Sequence, residues 1–360
     1  MTDKLIALVS GHRQGTDRDA VGEYTRLLQC QLQNSEFISI NGGPINWMMK
    51  LRKIVMHYDV VHFQYPSEGW GKSILPGIIP FICRLLYPDM RTTKMILTAH
   101  EWKSMHVLRK ISLIPLLSII SDLIFVAKDQ EASFFSSRTR YIFRGTTHVI
   151  PIGSNIDTQN LRVDDTNLIK SEFSAYDILI SYFGFLYESK QPMKMVKSIE
   201  VLSKAYNKTP KFIILGDYQP DHMNEKKVLI EYIEKNTPES VKFLGYIEDE
   251  AQLNAFIKAS DCVLMLFEDG VSARRSSFWH VINLGVPVIT TRPSSDIDQD
   301  FSYKLKRFEL EGRVILVGRH DDSEQIASTI VNSKLQKFEV TEISVNWQII
   351  ADMHRKVYEN

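Results

Sequence analysis

The chain alternates short apolar runs with helix-period segments, and it does so in two successive series. Leu5–Val9, Val60–Gln64, Met95–Ala99, Leu123–Ala127 and His148–Ile152 are apolar runs too short to be helices. Val21–Leu32 intervenes with Leu27, Leu28 and Leu32 on one helical face. Strands separated by helices pair in parallel, so the expected sheet is doubly wound. The second series restarts the pattern: Asp177–Phe183, Lys211–Leu215, Lys242–Leu244, Cys262–Leu266, Val286–Thr290 and Val314–Val317. Between the two, Asp157–Lys170 is polar and lacks an apolar period, which predicts a linker. The expected class is therefore α/β. The expected domains span 1–160 and 171–344, with a helix over 345–360 whose stripe is Trp347, Ile350, Ala351 and Met353.

At 360 residues, each series is long enough to bury its own core. The 43 basic residues balance 43 acidic ones, so no global field favours nucleic acid as a partner. Cys30, Cys83 and Cys262 are far apart in apolar contexts, which predicts buried free thiols in a reducing compartment and no metal spacing. The apolar run near Met1 is too short for a signal peptide, and no stretch reaches the ~20 apolar residues that span a bilayer. The expected location is the cytoplasm.

The densest chemical signal lies between Phe267 and Thr291. The apolar run Cys262–Leu266 predicts a buried strand. It leads into a loop holding Gly270, Ser272, Arg274 and Arg275, then into a short apolar helix closed by Gly285. Ser276 is the expected N-cap, and the free backbone N–H groups behind it favour an anion. The two arginines add forked donors suited to phosphate. Together these features describe a seat for a diphosphate.

This segment resembles the donor-binding region of GT-B glycosyltransferases, and among them the retaining family 4 enzymes. Asp59–Tyr65, Leu97–Trp102, Val149–Asn155 and Val241–Tyr246 fall in that family's usual order, so the resemblance covers essentially the whole chain. Each motif alone is weak, and their joint order carries the resemblance. It implies two Rossmann-like doubly wound domains facing a cleft, with the acceptor on the N-terminal domain and a nucleotide-sugar donor on the C-terminal one. It also implies that the C-terminal helix crosses back onto the first domain. A helix capping the second domain is the plainer reading of the same stripe.

The resemblance implies site residues one by one. His100, directly after the run Met95–Ala99, would lie against the transferred sugar, with Glu101 beside it. The alternative is a satisfied structural histidine; His62, inside a run, is expected to be structural or to support a neighbouring site residue. Gly22, taken as the start of the first helix after the polar loop Gly11–Ala20, would approach phosphate or acceptor. Lys190, in Phe183–Gln191, would hold the diphosphate with Gly184. The family usually places an arginine where Phe185 stands, and Arg274 and Arg275 would supply that missing charge. The family's two glutamates, eight positions apart, are replaced by Ser272 and His280. Asp269, Gly270 and Ser272 would then meet the sugar, and Gly216, Asp217 and Tyr246 would flank the base.

Asp296 and Asp298 form an Asp-x-Asp pattern, expected to be a loop feature because this fold holds diphosphate without metal. No cofactor is expected. The apolar stretches Leu75–Leu86 and Ile111–Ile120, the latter after Arg109 and Lys110, are expected to be core, with peripheral contact on the inner face of a membrane as the alternative. The implied activity is retaining transfer of a sugar from a nucleoside-diphosphate sugar to a hydroxyl of a glycan or lipid-linked glycan, in surface polysaccharide or glycoconjugate assembly. The alternatives are an epimerase or hydrolase of the same fold and a degenerate binding protein without turnover. A nicotinamide dehydrogenase is disfavoured, because no Gly-x-Gly-x-x-Gly follows the first run.

Overall fold

The computed structural model describes residues 4–11, 20–294, 298–340 and 346–360. The chain divides into two compact units, Met1–Asn155 with Val345–Asn360, and Ile156–Ser344. Each is built on one six-stranded parallel sheet.

In the first unit the strands are β1 (Ile6–Ser10), β2 (Ser35–Ser39), β3 (Val60–Tyr65), β4 (Lys94–Ala99), β5 (Asp122–Phe125) and β6 (Thr146–Val149). They lie in the order β2-β1-β3-β4-β5-β6, with Leu8 opposite His62 and Phe63 opposite Leu97. Every residue of β1 and β3 is buried, as expected for strands covered on both faces. Phe63, Leu97, Leu123 and Phe125 pack with Trp47 and Leu51 of the helix Pro44–His57 and with Trp102 and Phe134.

The second unit holds β7 (Ile178–Phe183), β8 (Pro210–Leu215), β9 (Val241–Gly245), β10 (Cys262–Met265), β11 (Val288–Thr291) and β12 (Val314–Val317). Their order, β12-β11-β10-β7-β8-β9, is that of a Rossmann sheet, and the chain reverses direction across the sheet between β7 and β10. Ligands of such sheets bind beyond the strands' carboxyl ends at that switch point. Ile180, Tyr182, Ile214 and Leu264 form its core with Val196 and Ile199 of the helix Pro192–Ala205.

The C-terminal helix Trp347–Glu359 belongs to the first unit. Ile350, Ala351, His354, Val357 and Tyr358 are buried there, while Met353 is only half-buried. Asn346 caps it by accepting from Ile349 N. At its other end Lys4 Nζ donates to Tyr358 O (2.7 Å) and Lys94 Nζ to Val357 O (2.6 Å). Both cations sit where the helix presents unpaired carbonyls and negative dipole.

Several expectations need correction. Residues 157–170 are not a free linker: they carry the start of the helix Val163–Glu172, which packs on the helix Glu250–Ala259 within the second unit. The side chain of Asn254 donates to Asp157 O (2.8 Å) and Asn160 O (2.7 Å), fixing the preceding turn. β2 is an additional strand. Cys30 is exposed, because it lies on the outer face of the helix Ala20–Gln31, whereas Cys83 and Cys262 are buried. Gly22 is the third residue of that helix and not its start. The stretch Ile111–Ile120 is divided: Leu113, Leu116, Leu117 and Ile120 are core, but Ile111 is exposed beside Val107 and Leu108. Among the described residues no helix is long and apolar enough to cross a membrane.

Candidate anion-binding site

The second unit's switch point is lined by two loops. After β7, Gly184 takes φ +121, a conformation that disfavours any side chain. Tyr182 OH then donates to Phe185 O (2.7 Å), and Glu188–Lys190 forms a single tight turn before the helix Pro192–Ala205. Gly216, at the end of β8, packs so closely that a Cβ there would fall 1.9 Å from Gly184 O. Gly216 therefore serves backbone packing.

After β10 the chain runs through Phe267 to Arg275. Glu268 N donates to Ser189 O (2.9 Å), joining this loop to the turn after β7. Phe267 N donates to Thr291 Oγ1 (3.1 Å), and Val271 N to Thr291 O (3.0 Å). Gly270 has φ +79, and a Cβ on it would meet Arg292 O at 2.4 Å. The loop is thus held on both sides by backbone contacts.

Three cations converge on this frame. Lys190 is buried, its Nζ 4.2 Å from the Phe267 ring centroid and 5.4 Å from that of Tyr187. The Arg275 guanidinium lies 4.6 Å from the same Phe267 centroid. Arg274 Nη2 donates to Asp269 Oδ2 (3.0 Å), and Arg275 Nη2 to Asp269 Oδ1 (2.5 Å). Burial, then the neighbouring Arg275 charge, holds the Lys190 ammonium well below its ordinary pKa range, and Asp269 only partly offsets this. One half-exposed carboxylate faces two arginines, with the buried Lys190 amine beside them, so the cluster carries excess positive charge. Arg274 Nε, Arg275 Nε and Ser272 Oγ are buried without a hydrogen-bond partner. Buried donors are normally paired, so three orphans beside excess positive charge form a setting chemically suited to an anion.

The helix Ser276–Asn283 begins here. Its N-cap is Arg275, with extended backbone and no side-chain cap, and Ser276 occupies the first helical position. The expected Ser276 cap is therefore displaced by one residue. Neighbouring Ser277 lies against Gly184: its Cβ is 3.8 Å from where a Cβ on Gly184 would stand. The open N–H groups of the helix start thus adjoin the glycine turn and the cations.

His280 does not stand as a free sugar contact. Its Nε2 is 2.8 Å from Asn254 Oδ1, and it makes a backbone hydrogen bond with Ile156. Burial pushes its pKa down to about 4. It supports the turn at residues 157–160 through Asn254. Tyr246 is exposed after β9, and Asp217, after β8, pairs with Lys226 (2.7 Å). The Gly245 backbone, φ +76, brings these strand ends together.

In the first unit His100 follows β4. It is buried, its N donates to Tyr65 O (2.8 Å), and its Nε2 lies 2.9 Å from Gln64 Oε1. The Tyr24 ring meets it edge-on at 4.9 Å. Burial drives its pKa down to about 3, so the ring is neutral at physiological pH. Glu101 is exposed, and Gly22 is buried inside its helix. His62 is wholly buried between Tyr358 OH (2.8 Å) and Thr98 Oγ1 (2.7 Å), the structural role expected of it. Asp298 caps the helix Gln299–Leu310 by accepting from Phe301 N (2.9 Å), while Asp296 and most of the loop Gly11–Ala20 lie outside the described residues. Among the described residues no group of three His, Cys, Asp or Glu side chains is placed to hold a metal.

Sequence reasoning missed Phe267, the aromatic floor shared by Lys190 and Arg275, and Gln64, the partner of His100. Phe267 directly follows a strand end and precedes Glu268, a signal that an aromatic residue faces the loop. Gln64 inside the wholly buried strand β3 is a second such signal, since a buried amide requires partners.

No family model matches the sequence, and no curated protein sequence matches it. Solved structures do. HepE from Anabaena in complex with UDP is 15% identical, with a TM-score of 0.67 over 99% of both chains. Sucrose-phosphate synthase from Thermosynechococcus elongatus is 15% identical, with a TM-score of 0.64 over 99% of this chain and 98% of that one. An α,α-trehalose-phosphate synthase from Burkholderia xenovorans, in complex with glucose-6-phosphate, is 10% identical, with a TM-score of 0.66 over 99% and 100%. The chain shares with them the GT-B fold, two Rossmann-like doubly wound domains.

Proposed function

We propose that this chain is a glycosyltransferase that moves a sugar from a nucleoside-diphosphate sugar to a hydroxyl acceptor. The observation that carries this reading is the cluster of Lys190, Arg274 and Arg275 at the Rossmann switch point, with buried unpartnered donors on Arg274, Arg275 and Ser272. The likeness to HepE in complex with UDP supports a nucleotide occupant.

We further propose retention at the anomeric carbon. The bond from that carbon to the diphosphate oxygen breaks as the acceptor oxygen bonds on the same face. The acceptor proton passes to the departing diphosphate. Lys190, Arg274 and Arg275 stabilise the charge that develops there, as preorganised cations do in a dry site. By the family resemblance His100 orients the sugar. A thermal-shift screen of uridine, guanosine, adenosine and thymidine diphosphate sugars tests donor use, and NMR of the product anomer tests retention. Stabilisation by none of the four would end this reading.

A lipid-linked acceptor in surface polysaccharide assembly fits the first unit's exterior. Ile74, Val107, Leu108 and Ile111 are exposed beside Lys72, Arg109 and Lys110. Arg109 Nη2 donates to Gly71 O (2.7 Å), drawing the two segments together. Neither 71–87 nor 102–121 contains an acidic residue. Apolar side chains ringed by cations suit the inner face of an anionic bilayer, with the chain itself cytoplasmic. Sedimentation with phosphatidylglycerol vesicles, compared with phosphatidylcholine vesicles and with Leu108→Glu, tests this contact. Equal binding to both vesicles, or binding unaffected by Leu108→Glu, would count against it.

A nucleotide-sugar binding protein without turnover is the second reading. It is favoured by His280, which stands at an expected glutamate position with its ring engaged by Asn254. Donor binding without transfer or hydrolysis would select it.

A further inference from the structure

Beneath His100, the first unit holds a hydrogen-bonded network of buried polar side chains. Gln64, His62, Thr98 and His354 are each wholly buried, as are Tyr24 and Tyr358 to within 2%. His100 Nε2 is 2.9 Å from Gln64 Oε1, and Gln64 Nε2 is 3.2 Å from His62 Nε2. His62 Nε2 is also 2.7 Å from Thr98 Oγ1, and its Nδ1 is 2.8 Å from Tyr358 OH. Tyr358 OH is 3.5 Å from His354 Nδ1, and His354 Nε2 is 2.8 Å from Tyr24 OH. The Tyr24 ring returns to His100, edge to face.

The donors and acceptors of this network constrain one another. A glutamine oxygen only accepts, and its nitrogen only donates. Gln64 Oε1 therefore takes a proton from His100 Nε2–H, and in one arrangement Gln64 Nε2 gives one to a bare His62 Nε2. Thr98 Oγ1, 2.7 Å from the same nitrogen, shares that lone pair as the second donor of a three-centre bond. Neutral His62 then carries its proton on Nδ1 and donates it to Tyr358 OH, which turns its own proton to His354 Nδ1. His354 Nε2–H donates to Tyr24 OH. In the opposite arrangement His62 Nε2–H donates to Thr98 and its Nδ1 accepts from Tyr358 OH and from Gln64 Nε2 (3.4 Å); in both, the Gln64 amide donates to His62 and its oxygen accepts from His100. All three histidines are neutral, since burial lowers each pKa. His100 Nδ1 is left with its lone pair and no hydrogen-bond partner among the described residues.

We propose that Gln64 is a positioning residue that fixes His100 as the Nε2–H tautomer and so presents Nδ1 as a hydrogen-bond acceptor. His62, held between Tyr358 of the C-terminal helix and Thr98, accepts from Gln64 Nε2 and so sets the sense of the amide. The acceptor suits a hydroxyl, the group that a sugar offers. This use of Nδ1 rests on the glycosyltransferase reading, whereas the tautomer itself does not. A histidine whose second nitrogen is tied to a fixed amide keeps its orientation and basicity through a reaction.

The test is a two-bond proton–nitrogen correlation spectrum of the full chain labelled with 15N-histidine, with His100 assigned by its loss in His100→Asn. The neutral Nε2–H pattern is expected at pH 7. In Gln64→Leu, His100 should show a mixture of tautomers, and turnover should fall about tenfold or more with the donor KM within about twofold. An Nδ1–H or mixed pattern in the wild type overturns the proposal, as does an unchanged pattern in Gln64→Leu. If Gln64→Leu does not fold, the wild-type spectrum alone decides between the two. A correct tautomer without any transfer would leave Gln64's role intact and remove the glycosyltransferase reading instead.

Discussion

Lys190 Nζ lies 4.2 Å from the centroid of the Phe267 ring, and among the described residues no carboxylate is within ion-pair distance of it. A buried cation with an aromatic face in place of a counter-ion is destabilised until an anion arrives. Its lowered pKa means that, between its folded value and about 10.4, the unfolded chain binds more protons, so this group's contribution makes stability rise with pH. Lys190→Met should therefore raise the melting temperature. The same change should weaken nucleoside-diphosphate binding about 10- to 100-fold, since a charge-assisted bond contributes about 1.5–3 kcal/mol. Differential scanning calorimetry with a nucleotide titration checks both halves. A variant that melts lower and binds normally would make Lys190 a structural side chain.

Asp269 pairs with both arginines, so it competes with a diphosphate for them. Asp269→Asn should tighten binding of a nucleoside diphosphate several-fold. The carboxylate is half exposed, so the gain is modest and should shrink in high salt. If Asp269 also meets the sugar, the nucleotide sugar will gain less than the bare diphosphate. Weaker binding of both ligands would show that Asp269 orients the arginines instead of competing for them.

Three neutral buried histidines in the first unit predict acid sensitivity. His100 and His354 are each lowered to about 3, and His62 is lowered well below the ordinary range. Below about pH 6.5 the unfolded chain takes up protons that the folded one refuses, so stability falls as pH falls. The loss is up to about 1.4 kcal/mol per pH unit for each such histidine. Urea melts at pH 7.5, 6 and 5 should show it, and His354→Gln should lessen the slope. A flat profile would mean that the histidines are not held neutral.

Much of the fold is legible because most strands of both units are apolar runs that need cover on both faces, β6 and β9 being only partly buried. β2 escaped because Ser35–Ser39 is only partly buried and carries just Phe37 and Ile38. The helix Val163–Glu172 escaped because it buries only Thr166 and Ile169, too little to print an apolar period. In the site, Arg274 and Arg275 are suggested by their charge in a loop after a strand, and Lys190 by the family resemblance. The pairing of both arginines with Asp269 could not be read, since it depends on how the loop turns at Gly270. The network under His100 was hidden for a stronger reason. Its members lie as far apart in sequence as Tyr24 and Tyr358, and only the sheet and the docked C-terminal helix bring them together.

Metal removal separates two ways of holding a diphosphate. We expect transfer to persist in excess EDTA, because cations and a helix start supply the positive charge. Asp298→Ala should cost about 1 kcal/mol of stability as a lost N-cap, without any metal dependence. Transfer abolished by EDTA and restored by magnesium or manganese would assign a metal to this chemistry.

Isothermal titration of uridine, guanosine, adenosine and thymidine diphosphates into the wild-type chain, Lys190→Ala and Arg275→Ala tests the anion seat most directly. One of the four should bind the wild type with one-to-one stoichiometry and bind each variant about 10- to 100-fold more weakly. Failure of all four to bind, or equal affinity across the three proteins, would contradict a diphosphate seat at the switch point of the second unit.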